Sequence, residues 1–243
     1  MAQLCYGSLI GTGNSLSKVS KLDFSELNMK KSNYDEKPLW DLPCFEEKLA
    51  RILNSRQKRI LASNGTVTAA VLVPLFAKDG RRHVLLTKRS ELVEHHRGEI
   101  SFPGGKLDPT DPNLLYCALR ETAEEIGLGP EHVRIIGELD DFYTVATNFR
   151  VVPFVGTIPH PYEFVPSIRE IAGLISVPLD VFFDPGYRSE TTRIFRGEPV
   201  EIISYDWEGH NIWGATARIL KHFAELIEEW QLDHEEESKA PCV

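Results

Sequence analysis

Glu121, Glu124 and Glu125 stand at i, i+3 and i+4 in the run Arg120-Glu121-Thr122-Ala123-Glu124-Glu125-Ile126-Gly127-Leu128, a short way after Gly104-Gly105-Lys106-Leu107-Asp108. On a helix those positions are neighbours. Carboxylates gathered beside a glycine bend are hard oxygen donors of the kind that hold Mg²⁺ or Mn²⁺ against a phosphate. For stability alone the placement is poor. Like charges at i, i+4 cost roughly 0.2–0.5 kcal/mol per pair. Acids near a helix C-terminus also oppose its dipole, by about 0.3–1 kcal/mol. The plain alternative is a solvated charged face. The glycine turn, Pro112 and Gly127 around the acids favour a metal site, because a cluster of broken local rules marks function.

The element that must carry these acids is legible. Asp111 reads as an N-cap, with Pro112 at the first helical position. Gly127 reads as the residue that closes the last turn. Leu115, Leu119, Thr122 and Ile126 share one helical face. Glu121 and Glu124 then fall on the opposite face, Glu125 on its flank, and Cys117 a turn before them. Cys117 reads as a small packing residue.

These residues resemble the Nudix hydrolase family, whose box reads G-x5-E-x7-R-E-U-x-E-E-x-G-U, U being aliphatic. Gly105 opens the box, and Arg120-Glu121, Glu124-Glu125 and Gly127-Leu128 match its second half. Asp111 replaces the first box glutamate, the spacer to Arg120 is one residue longer, and Thr122 stands at an aliphatic position. Upstream, Leu85-Leu86-Thr87-Lys88-Arg89-Ser90 and Gly98-Glu99-Ile100-Ser101-Phe102-Pro103-Gly104-Gly105 are similar to the motif of the subgroup that cleaves coenzyme A. Glu94 departs from it where arginine is usual, and Arg97 is the nearest substitute.

The resemblance implies an α/β fold, the Nudix-type α/β/α sandwich with a mixed β-sheet, and a Mg²⁺- or Mn²⁺-dependent diphosphatase. It implies metal ligands at Glu121, Glu124, Glu125 and the Gly105 carbonyl, with Glu121 and Glu124 also catalytic. The general base is Glu170 or a box glutamate, with Glu163 a weaker alternative; Glu170 reads equally well as an exposed acid at the start of a strand. Lys88, Arg89 and Arg97 are candidate contacts for a substrate phosphate, and Arg89 reads equally as a brace on a box glutamate. His95-His96 read as loop or substrate-side residues, Trp213 and Phe223 as core. Activity on coenzyme A would yield 4′-phosphopantetheine and adenosine 3′,5′-bisphosphate. ADP-ribose or another nucleoside diphosphate derivative is the alternative substrate, and a nucleotide-sensing domain without catalysis the alternative class. A homodimer is implied by the family alone. Because clustered carboxylates raise one another's pKa, activity should favour mildly alkaline pH.

The rest of the chain bounds these readings. Its 243 residues, 42% hydrophobic, can bury one substantial core. A formal charge of −9 argues against an extended nucleic-acid surface. Four cysteines without a C-x-x-C pair fit reduced thiols. Without a run of about 18 apolar residues no membrane span is expected, and the expected location is cytoplasmic. Residues 1–40 read as a polar, flexible extension, 41–235 as the hydrolase domain and 236–243 as a tail. A helix is expected from Phe45 to Ser55 and another from Ala215 to Trp230. Strands are expected at Val67–Phe76, His83–Thr87, Val133–Ile136, Phe142–Val145, Arg150–Gly156 and Ile171–Val177. A hairpin is expected around Gly197.

Overall fold

A computed structural model describes residues 38–92, 97–145, 147–195 and 197–234. The flexible extension expected before residue 38, the tail after 235, and the readings of Glu94 and His95-His96 fall outside these residues.

Helix α1 (Phe45–Ser55) buries Phe45, Leu49, Ile52 and Leu53, one face of a 3.6-residue repeat. Strands β1 (Val67–Lys78) and β2 (Arg81–Arg89) form a hairpin. Asp79 and Gly80 turn it with positive φ, 51° and 77°. Short strands β3 (Ile100–Ser101) and β4 (Gly104–Lys106) follow, then helix α2 (Leu114–Ile126). Strands β5 (Arg134–Glu138), β6 (Phe142–Tyr143), β7 (Phe149–Thr157) and β8 (Ile171–Pro178) complete the main sheet. The one-turn helix α3 (Asp180–Phe183) leads into a second, three-stranded sheet of β9 (Arg188–Phe195), β10 (Glu198–Trp207) and β11 (His210–Trp213). Helix α4 (Gly214–Asp233) closes the described chain.

The main sheet is mixed: β1 and β7 run parallel over nine paired positions, while the other pairings are antiparallel. Its two faces are covered by different helices. Val73, Leu75, Val84 and Leu86 meet α1 and α4 in one cluster. Ala70, Val152 and Phe154 meet Cys117 and Ala118 of α2 on the other side. Burial on both faces explains the near-continuous apolar run of β1. The expected α/β/α sandwich with a mixed sheet is thus observed.

One departure from a regular sheet makes the site. β1 and β2 pair from Leu75–Lys78 to Arg81–Val84 and then part. Into the opening fit β4, paired to β1 at Ala69–Val71, and β3, paired to β2 at Thr87–Lys88. The glycine bend Gly104-Gly105 therefore lies between strands, under the helix that carries the acids.

Two expectations need correction. Asp111 is not the N-cap: α2 begins at Leu114, and the Asn113 side chain accepts the Tyr116 N–H. Asp111 is drawn away by Arg120, as described below. Cys44 is disulfide-bonded, against the expectation of reduced thiols, while Cys117 is free and buried. Among the described residues no helix is long and apolar enough to cross a membrane.

Candidate active site

The expected division of α2 into a packing face and an opposed acid face is wrong in one respect. Its buried residues are Cys117, Ala118, Thr122, Glu125 and Ile126, so a carboxylate sits inside the packed face. Leu115 and Leu119 are only half-buried. The two glycines of the bend are what admit the acids. At Gly104 (φ 143°) a Cβ would strike the Ala70 carbonyl and the Val71 main chain. Its N–H donates to Glu125 Oε2 at 3.1 Å. At Gly105 a Cβ would occupy the space of the Glu121 carboxylate.

Glu125 is 3% exposed. Burial is the main reason its carboxyl is pushed up to about 7, and the negative charges of Glu121 and Glu170 add to this. The Gly104 N–H and Arg89, whose Nη1 stands 3.6 Å from Glu125 Oε1, oppose the rise only in part. Glu121 is also raised, first by burial, and further by Glu124 and Glu170, against the pull of Arg120.

Arg120 is the counter-charge. Its guanidinium donates to Asp111 Oδ1 at 2.8 Å and Oδ2 at 2.9 Å, approaches Glu121 Oε1 at 2.9 Å and donates to Glu124 Oε2 at 3.1 Å. The hydrogen bonds from Arg120 hold Asp111 well below the usual carboxylate range. Asp111 was missed as a member of this site because the contact spans nine residues and a turn, beyond any helical spacing rule. Cys117 is held up at about 11, chiefly by burial, and its thiol donates to the Gly105 carbonyl at 3.7 Å. It braces the bend and is no nucleophile, since a thiol this weakly acidic stays protonated.

The segment after β7 ties Glu170 to the same place. Val165 N–H donates to the Ile126 carbonyl at 3.0 Å, Ser167 N–H to the Glu125 carbonyl at 2.8 Å, and the Tyr162 hydroxyl to the Gly127 carbonyl at 3.1 Å. These bonds satisfy carbonyls that a helix C-terminus leaves open. Ser90 N–H then donates to the Glu170 carbonyl at 2.7 Å, joining the segment to the end of β2. Glu170 is exposed at the rim, yet its charge reaches both Glu121 and Glu125. Glu163 is exposed on the same segment.

The three candidate cations separate. Arg89 faces Glu125. Lys88 lies on the other face of the sheet and, with Arg97, lines a cavity of about 410 Å³. Phe223 is buried in the core, as expected, whereas Trp213 is 43% exposed on the cavity wall. Among the described residues no three His, Cys, Asp or Glu side chains converge as a finished metal cage. Glu121 and Glu124 are turned onto Arg120, and Glu125 onto Gly104 and Arg89. The donor set still fits a divalent ion. It consists of oxygen atoms only, it includes two carboxylates whose pKa values are raised, first by burial and further by neighbouring acids, and the Glu121 carboxylate lies against Gly105 of the bend.

Residues 66–180 match the family model described as NUDIX domain. A protein of Enterobacter sp. (strain 638), named "Uncharacterized Nudix hydrolase NudL", is 38% identical over 165 residues, which cover 64% of this chain and 80% of that one. A Yersinia pestis (strain Pestoides F) protein of the same name is 34% identical over 160 residues, covering 65% and 79%. Among solved structures, a MutT/nudix family protein from Enterococcus faecalis superposes with a TM-score of 0.48 at 16% identity, covering 84% of this chain and 68% of that one.

Proposed function

This chain belongs to the Nudix hydrolase family, which makes it a hydrolase of pyrophosphate bonds, and on that premise we propose that it cleaves coenzyme A or its derivatives to 4′-phosphopantetheine and adenosine 3′,5′-bisphosphate. The observation that carries the reading is the use of β2. Its last residue, Arg89, matches the coenzyme A motif, Lys88 stands at the motif's variable position, and the two address opposite faces: Arg89 the buried Glu125, Lys88 a cavity of nucleotide-fragment size.

Glu121, Glu125, Glu124 and the Gly105 carbonyl would hold Mg²⁺ or Mn²⁺. When bound, such an ion neutralises charge on the phosphoryl oxygens and lowers the pKa of water. The chain's own groups do the rest. Glu170 Oε accepts the proton of the attacking water from the rim. Arg89 favours the ionised form of Glu125 and orients it, and Arg120 does the same for Glu121. Asp111 anchors Arg120 so that it does not follow the substrate. Glu163, on the far part of the same segment, takes no part. Residues 41–235 form the catalytic domain, with cytoplasmic location and a homodimeric state as companion expectations.

A screen of purified protein with Mg²⁺ or Mn²⁺ tests the reading, with products identified by mass. Coenzyme A should be turned over in preference to ADP-ribose. Turnover of ADP-ribose with indifference to coenzyme A would sink the substrate assignment. Binding of either without turnover would convert the protein into a nucleotide sensor.

A further inference from the structure

The β10–β11 hairpin forms the outer wall of the Lys88 cavity through Gly209, Asn211 and Trp213. Several observations make this wall a built surface. Strand alternation in β11 sets Asn211 and Trp213 on one side and the fully buried Ile212 on the other. The turn is tight, with Glu208 and Gly209 at φ 47° and 77°. Asn211 Nδ2 donates to Asp206 Oδ1 at 2.7 Å across it. The hairpin is tied to the cavity floor, because Thr216 Oγ1, just past β11, donates to the Ile100 carbonyl at 3.1 Å in a buried bond. Ile100 is the direct cross-strand partner of Lys88, so both side chains lie on the hairpin's side of the sheet. The Trp213 indole is 43% exposed and lines this cavity, so part of its surface is open to a bound group.

The chemistry of the walls is specific. Among the described residues Lys88 has no ion-pair partner, and Arg97 lines the same cavity. Two cations facing one space suit a phosphomonoester dianion. Trp213 offers a flat face for a purine. The position also fits. From Ile100 on the floor to Gly104 at the bend is four residues, at most about 13 Å of chain.

We propose that this cavity is the subsite for the phosphate-bearing nucleoside end of the substrate, with Lys88 and Arg97 holding the phosphomonoester and Trp213 stacking on the base. The three-stranded sheet then acts as a specificity module: it tells substrates carrying a sugar phosphate from those without one. This rests on the coenzyme A reading, which supplies a substrate with such a phosphate.

Two measurements test it. The first is calorimetric binding of adenosine 3′,5′-bisphosphate to the full chain and to Lys88→Ala, Trp213→Ala and Trp213→Phe, with melting curves to confirm folding. Lys88→Ala and Trp213→Ala should weaken binding at least tenfold, and Trp213→Phe should restore most of it. The second is the ratio of kcat/KM for coenzyme A over 3′-dephospho-coenzyme A, which should fall toward one in Lys88→Ala through KM rather than kcat. Folded variants that bind the bisphosphate as tightly as wild type and keep its ratio would overturn the subsite. Failure of the wild type to cleave coenzyme A is a different result: it removes the substrate assignment, and the binding measurement alone then decides the subsite.

Discussion

Asp111 and Arg120 form a two-point clamp, both carboxylate oxygens within 2.9 Å of the guanidinium, and the same guanidinium reaches Glu121 and Glu124. The clamp fixes Arg120 behind the acids. Removing it with Asp111→Ala would release Arg120 to close fully on Glu121 and Glu124. Losses at groups that orient ligands run about 10–100-fold. Titration of Mn²⁺ binding should show a weakening in that range, and an unchanged affinity would deny the clamp any part in the site.

Glu125→Gln should make the metal-free protein more stable at pH 8 and far less active. The folded-state carboxyl lies at about 7 against an ordinary 4.5. A raised folded pKa means that the folded chain binds more protons between those values. Its cost is therefore absent below about pH 4.5, grows as pH rises through 7, and is complete above that. At about 1.4 kcal/mol per unit, the amide should gain up to about 3 kcal/mol at pH 8, shrinking toward zero near pH 4.5. Denaturant midpoints at the two pH values check this, and a gain independent of pH would refute it. The activity loss should be at least about 10²-fold.

Glu170→Gln should lower kcat by about 10²–10⁴-fold while KM stays within a few-fold, as expected when a base is lost. Glu163→Gln should stay within about twofold. If both variants behave alike, Glu170 is only a rim acid at the start of β8.

Gly105→Ala puts a methyl where the Glu121 carboxylate lies. The carboxylate must leave, so metal-dependent turnover should collapse while the melting point falls by the equivalent of about 1–3 kcal/mol, the usual cost of overpacking. A variant with wild-type turnover would show that Glu121 works from another position.

How much of this was readable beforehand follows from which residues were governed locally. α1 matches its expected span because its apolar spacing alone decides its face. β1, β2, β7 and β8 lie within a few residues of expectation, since long β-branched runs between turns leave few alternatives. The start of α2 was misplaced because Asp111 and Asn113 are both good caps, and the choice between them is made by Arg120, nine positions on. Glu125 was misjudged because periodicity counts apolar residues and does not register a carboxylate that a glycine bend receives. Trp213 was read as core because a strand as short as β11 carries too few residues to reveal its alternation. The separation of Lys88 from Arg89 is ordinary strand alternation, and it follows once β2 is seen to run on to Arg89, two residues past its expected end at Thr87.

Glu125 serves two masters: its side chain receives the Gly104 N–H, and its main-chain carbonyl receives the Ser167 N–H. One residue thus rivets the glycine bend to the stretch that ends in Glu170. If Glu125 grips the ion and Glu170 takes the proton, as proposed, the rivet sets the spacing of their main chains, and that spacing is inherited from the backbone rather than from whatever sits between them.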